Sequence, residues 1–289
     1  MRPCRGVGLP GLLLGLWIAG PAFAACPEGS AHEGEALAAA WLDREPVARV
    51  QPEDMADALC IQGALVADLD AAVGPHVGWK VGLTSESMQE RFGADAPVAG
   101  PMLVGMIWPS EVPVERDFGA RPMVEADLAV RVADPAIMQA SDHAEVLAAI
   151  DWVLPFIELV DLMVADPSTL DARSITAINV GARGGVLGEP LPVNPEMGET
   201  LAAMTVVIEN EDGEVLGEYP GSAILGHPLD AVLWLVDELA ARGETLEAGE
   251  LLSLGSFGPL FSVDEHDAFR VRYEGLVPGQ APEVEVRFE

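Results

Sequence analysis

From Gly78 to the C-terminus the chain is a succession of short β-type runs with few helices between them. WKVGL, PMLVGMIW, VEADLAVRV, PFIELVDLMV, MTVVIEN, LLSLGS, FRVRYEGL and VEVRF are each punctuated by Gly or Pro, and Asp212-Gly213 inside ENEDGEV marks a hairpin turn. Two helical stretches interrupt the runs. One starts near Asp142, with Glu145 three residues on as a capping-box partner. The other runs from Pro228 through LDAVLWLVDELAAR and stops at Gly243. Strands that follow one another without intervening helices argue for an α+β fold with a large antiparallel or mixed sheet, not a doubly wound one. Residues 32–74 differ in texture. AHEGEALAAAWLDR is a good helix former, and Pro52 opens a second helical pattern that stops at Gly74.

The first 24 residues carry the marks of an export signal. Arg2 and Arg5 form a basic start, Val7 to Ile18 is apolar, and Ala22-Phe23-Ala24 offers a cleavage site before Ala25. The apolar run is short for a membrane span, so no stable span is expected after cleavage, and a periplasmic or secreted location is expected. A lipid anchor at Cys26 is the weaker alternative, because Phe23 stands where a lipoprotein signal usually has leucine. Loss of Cys4 with the signal leaves Cys26 and Cys60, either as a disulfide or as a flexible and a buried free thiol.

The chain holds 47 acidic and 15 basic residues, a formal charge of −32. Phosphate binding needs basic patches, so nucleic acid and anionic membranes are excluded as expected partners. Within this acidic chain Lys80, in GWKVGLTS, is the only lysine.

In VEADLAV, Glu125 and Asp127 are two apart and share one strand face, with Val124, Ala126 and Leu128 on the other. Adjacent carboxylates repel unless a positive group lies between them, and a hard divalent cation is the simplest such group. The alternative is a solvated strand face. Glu158 shifts the balance, because it stands in an apolar run with no basic residue within ten positions on either side. Together Glu125, Asp127 and Glu158 would make an open magnesium-type site. His32, His76, His143, His227 and His266 lack the paired spacing of zinc ligands. RGGVLG lacks the lysine of a phosphate loop, and no G-x-S-x-G elbow is present.

Taken together, GWKVGLTS, VEADLAV, PFIELVD, AIN before GGVLG, GSAILGHPLDAVLWLVDELAARGETLEAGELL and LGSFGPLF resemble the 2-keto-4-pentenoate hydratase and 4-oxalocrotonate decarboxylase group of the fumarylacetoacetate hydrolase superfamily. The resemblance implies a mixed β-roll or barrel-like core in residues 78–289, after a helical region in residues 25–77. It implies Mg²⁺ or Mn²⁺ on Glu125, Asp127 and Glu158, with Asp127 in place of a glutamate. It also implies a small 2-keto or 2-hydroxydienoic acid substrate, a metal-stabilised enolate, and a homo-oligomer. Lys80 falls on the family lysine and is the expected acid–base or carboxylate-anchoring group, since arginine cannot give up a proton. Ser85, Asn179 and Ser256 are the expected substrate contacts. Two positions depart from the family pattern: Val98 replaces an acid and Met163 an arginine. These losses leave an alternative, an exported ligand- or metal-binding protein without turnover.

Overall fold

The computed structural model describes residues 26–110 and 112–289. The signal segment, its cleavage point and Cys4 lie outside the described residues. The helical region comprises α1 (Ser30–Asp43) and α2 (Met55–Val73). Pro52 lies just outside α2. The cap is Asp54, whose side chain accepts from the backbone N–H of Asp57 at 2.9 Å, and Gly74 ends the helix as expected. A disulfide joins Cys26 to Cys60 with Cα atoms 5.7 Å apart, pinning the start of the described chain to α2.

β1 (His76–Gly82), α3 (Glu86–Phe92), β2 (Val98–Leu103), β3 (Ile107–Trp108) and β4 (Pro122–Val132) come next. α4 (His143–Ala149), capped by Asp142, leads into β5 (Ile150–Asp161), α5 (Ala172–Ala177), β6 (Ala182–Leu187) and β7 (Leu191–Pro192). α6 (Met197–Ala203) precedes the hairpin of β8 (Thr205–Asn210) and β9 (Val215–Pro220), turned at Asp212-Gly213. α7 (Pro228–Arg242), β10 (Leu251–Ser253), β11 (Phe261–Ser262), β12 (Ala268–Glu274) and β13 (Glu283–Arg287) complete the order.

Nine strands form a mixed sheet in the order β2-β1-β10-β4-β5-β6-β3, with β11 added to β4 and β7 to β5. The two long strands each pair with different neighbours along their length, which curls the sheet. A second, antiparallel sheet runs β13-β12-β8-β9. The main core lies between the two sheets and α7, and takes Trp79, Val81, Val124, Ala126, Leu128, Ile157 and Leu159 from one face of the central strands. The period of two then sends Lys80, Glu125, Asp127 and Glu158 to the opposite face.

That opposite face is covered by the helical region. A second apolar cluster joins Leu37 and Trp41 of α1 and Ile61, Leu65 and Leu69 of α2 to Val98, Val160 and Val180. Gln62 of α2 donates to the carbonyls of Ala99 at 3.0 Å and Thr176 at 3.1 Å, tying the cap to β2 and α5. The four polar side chains therefore lie between sheet and cap, largely out of water.

Candidate active site

β4 and β5 run antiparallel with Glu125 directly opposite Glu158. Like charges in directly opposed positions destabilise a strand pair unless something neutralises them. Lys80 does so. β1 lies parallel to β10, with Lys80 beside Ser253, and this places the ammonium against the carboxylates of β4 and β5. Lys80 Nζ forms an ion pair with Glu158 Oε1 and stands 3.9 Å from Glu125 Oε1. Lys80 is 3% and Glu158 2% exposed, so neither charge is shared with bulk water.

Burial pulls the Lys80 ammonium toward deprotonation, but Glu158 first, then Glu125 and Asp127, outweigh it and hold its pKa above the usual lysine value. The sequence-based expectation of a lysine ready to release its proton therefore meets an ammonium held firmly in its charged form. Glu158 is shifted well above the usual carboxylate range, by burial first and by its like-charged neighbours Glu125 and Asp127, against the attraction of Lys80. Its Oε2 is buried and has no hydrogen-bond partner.

Asp127 is oriented differently from the other two acids. It is one methylene shorter than glutamate and draws back into the sheet. Oδ2 accepts from the Ser253 hydroxyl, while Oδ1 accepts from the N–H groups of Leu128 at 2.5 Å, Gly255 at 2.9 Å and Leu254 at 3.2 Å. Burial pushes its pKa up to about 7 in spite of these donors. Tyr273, from the second sheet, donates to the Asp127 carbonyl and accepts from Phe156 N–H at 3.1 Å, which locks β4 to β5 beneath the site. Neither Ser253 nor Tyr273 was singled out in the sequence. Ser253 sits in the recognisable LLSLGS run, but its partner lies 126 residues away.

Above the Lys80–Glu125 end is a small cavity of about 50 Å³. Thr84 and Ser256 add hydroxyls to it, and the remaining wall is apolar, with Leu83, Met88, Phe92, Leu162 and Val180 among its residues. Of the expected substrate contacts, Ser256 lines this cavity. Ser85 does not: it caps α3, accepting from Met88 N–H at 3.4 Å. Asn179 is buried behind the wall, donating to the Pro101 carbonyl at 2.9 Å, and its Oδ1 has no partner. Asn179 and Val180 both have positive φ, 55° and 57°. This left-handed step brings the Val180 side chain, rather than the amide, into the cavity. Asp161 is a loop organiser, accepting from the N–H groups of Ala120, Arg121 and Met163 at 2.9, 2.8 and 3.0 Å. Among the described residues no three His, Cys, Asp or Glu side chains stand ready as a metal cage, because Lys80 holds Glu158 and Ser253 holds Asp127.

The curled mixed sheet has the fumarylacetoacetate hydrolase fold, which solved structures of that superfamily share. The 4-oxalocrotonate decarboxylase from Pseudomonas putida G7, solved with magnesium and adipate, matches with a TM-score of 0.80 and 28% identity, over 91% of this chain and 98% of that one. A 2-keto-4-pentenoate hydratase from Paraburkholderia phymatum is 31% identical over 72% of this chain and 79% of its own length. A 4-oxalocrotonate decarboxylase from Pseudomonas putida is 30% identical over 76% and 82%. No protein-family model matches the chain. By this likeness the chain belongs to the 2-keto-4-pentenoate hydratase and 4-oxalocrotonate decarboxylase family.

Proposed function

We propose that the chain is a divalent-metal-dependent lyase of the hydratase type, acting on a small 2-keto or 2-hydroxydienoic monocarboxylate. The observation that carries this reading is the buried Lys80 ammonium between Glu158 and Glu125, at the polar end of an otherwise apolar cavity.

The donor set fits a divalent cation on grounds of charge. Three ionised carboxylates and one ammonium leave two uncompensated negative charges in a largely buried space, which is costly unless they are paired or protonated. The raised values at Glu158 and Asp127 reflect that cost. Glu158 Oε2 is a buried acceptor without a partner, and Glu125 faces it across the strand pair. Glu125 and Glu158 would hold Mg²⁺ or Mn²⁺, with Asp127 adding its charge from behind the Ser253 hydroxyl. When bound, such a cation supplies positive charge toward the carboxylate and 2-oxo oxygens of the acid.

The residues present divide the remaining work. Lys80, as an ammonium, anchors the substrate carboxylate or delivers a proton to carbon. Glu125 lines the cavity beside the Lys80 ammonium. Thr84 and Ser256 offer hydroxyls for orientation. The apolar wall takes the hydrocarbon part of the acid. Lys80 is the cavity's one cation among the described residues, so a second carboxylate would lie against Phe92, Met88 and Leu260. That favours a monoacid with an apolar tail over a dicarboxylate.

A second reading, an exported binding protein without turnover, draws on Val98, Met163 and the committed Asp161. None of these offers a free base to a water molecule. The test is an absorbance assay with 2-hydroxypenta-2,4-dienoate and with 4-oxalocrotonate, each with Mg²⁺ or Mn²⁺. The proposal expects turnover of the monoacid, at least about tenfold preferred in kcat/KM. Metal binding without turnover of either acid would favour the binding-protein reading. A periplasmic or secreted location is part of the proposal, and the Cys26–Cys60 disulfide supports it, since such bonds persist in oxidising compartments. A disulfide-bonded Cys26 also has no thiol left for a lipid.

A further inference from the structure

A second cavity, of about 260 Å³, lies at the β3–β6 edge of the sheet and shares no residue with the first. Its floor is Arg183, 6% exposed on β6. The guanidinium carbon sits 3.6 Å from the centroid of the Trp41 ring. Nη1 donates to the Trp41 carbonyl, and Trp41 Nε1 donates back to the Ala182 carbonyl at 3.2 Å, so ring and guanidinium hold each other in place. Among the described residues the buried Nε has no partner, and no carboxylate forms an ion pair with Arg183. The edge formed by Nε and Nη2 is the one that takes a carboxylate in two parallel hydrogen bonds.

A buried cation without a counter-ion is costly. In a chain with 47 acidic residues a partner would be easy to supply. The other charged side chains nearby already have partners. Arg44 pairs with Glu115 at 2.8 Å and Asp117 at 3.3 Å, and Asp161, whose charge Arg183 feels, accepts from three backbone N–H groups. Burial lowers the Arg183 pKa to about 10, which still leaves it a cation at neutral pH. Arg44 and Glu115, paired with each other, also line the cavity, and the rest of its wall is apolar. Trp108 meets Phe118 edge-on with centroids 5.8 Å apart, and a Cβ at Gly184 would stand 2.8 Å from the Trp108 ring, so glycine there lets the indole lie against β6.

We propose that this cavity is a second binding site, for a small aromatic monocarboxylate, with Arg183 taking the carboxylate and Trp108 and Phe118 taking the ring. Its volume lies just below the usual range for ligand pockets, which suits a single ring.

The test is calorimetric titration of the protein with benzoate, and with benzamide as the neutral match in shape, in Mg²⁺ with and without saturating oxalate, which engages the keto-acid cavity. The expected result is benzoate binding in the millimolar range or tighter, no measurable binding of benzamide, and affinity about tenfold or more weaker in Arg183→Met. Arg183→Lys, which keeps the charge and loses the fork, is expected to fall between. Equal binding of benzoate and benzamide, displacement of benzoate by oxalate, unchanged affinity in Arg183→Met, or no binding at all would each overturn the proposal. Should Arg183→Met lack a cooperative melt, the benzoate–benzamide comparison on the unaltered protein decides alone.

Discussion

Lys80 occupies a position that arginine could not fill with the same chemistry. It balances Glu158 as an ammonium and is the acid that would deliver a proton to the substrate, and a guanidinium does only the first. Lys80→Arg is therefore expected to keep the fold and to lower kcat by about 10²–10⁴, read in the same absorbance assay. Turnover within a few-fold of the unaltered enzyme would remove Lys80 from proton transfer. Asp127 makes a prediction with a definite sign. Its folded-state pKa is raised from the ordinary 3.8 to about 7, so between those values the folded protein holds a proton that the unfolded chain releases. This group's stabilising contribution is thus present at low pH and is lost as pH rises toward 7. In metal-free protein, Asp127→Asn should flatten the fall in urea-unfolding stability over that interval, and an unchanged slope would contradict the account. Glu125 was legible because alternation fixes the face a strand residue takes, Glu158 because it stands in an apolar run without a basic neighbour, and Lys80 because it is the one lysine, inside a family-like motif. The withdrawal of Asp127 toward Ser253 was not, since it depends on a chain segment 126 residues away.

At the scale of elements, caps and alternation carried most of the signal. Asp142 and Gly243 bound their helices where the sequence places them, and VEADLAV splits between core and site as its period of two requires. Glu145 reaches back to Ser141 rather than to Asp142, at 2.8 Å to the backbone N–H, so the capping box closes one residue early. The short helices α3, α5 and α6 went unread because six or seven residues give too little periodicity. β6 was hidden as well, because its RGGV stretch carries no strand pattern of its own, and Phe156 and Trp108 fill the space above its glycines. The 34-residue separation of Cys26 and Cys60 makes their bond the main covalent constraint on the helical cap. By loop-closure entropy it is worth about 3–4 kcal/mol. Cys60→Ala should lower the melting temperature by several degrees, and a reductant should do the same to the unaltered protein but not to the variant. No change on reduction would show that the cap holds without the bond.

For the whole molecule, the decisive relation is between a heavily acidic chain and a buried cluster that is itself short of positive charge. The formal charge of −32 argues against polyanionic partners but says little about the fold. The fold converts four scattered residues into one site by setting the central strands edge to edge and closing α1 and α2 over them. Anything that binds this folded site and not the unfolded chain must raise the melting temperature in proportion to its occupancy. The most direct measurement is therefore a thermal-shift titration of residues 25–289 with Mg²⁺ and Mn²⁺, with and without oxalate, beside Glu158→Gln. The account predicts a rise with metal, a larger rise with metal and oxalate together, and loss of both in Glu158→Gln. A flat response at millimolar metal would contradict it.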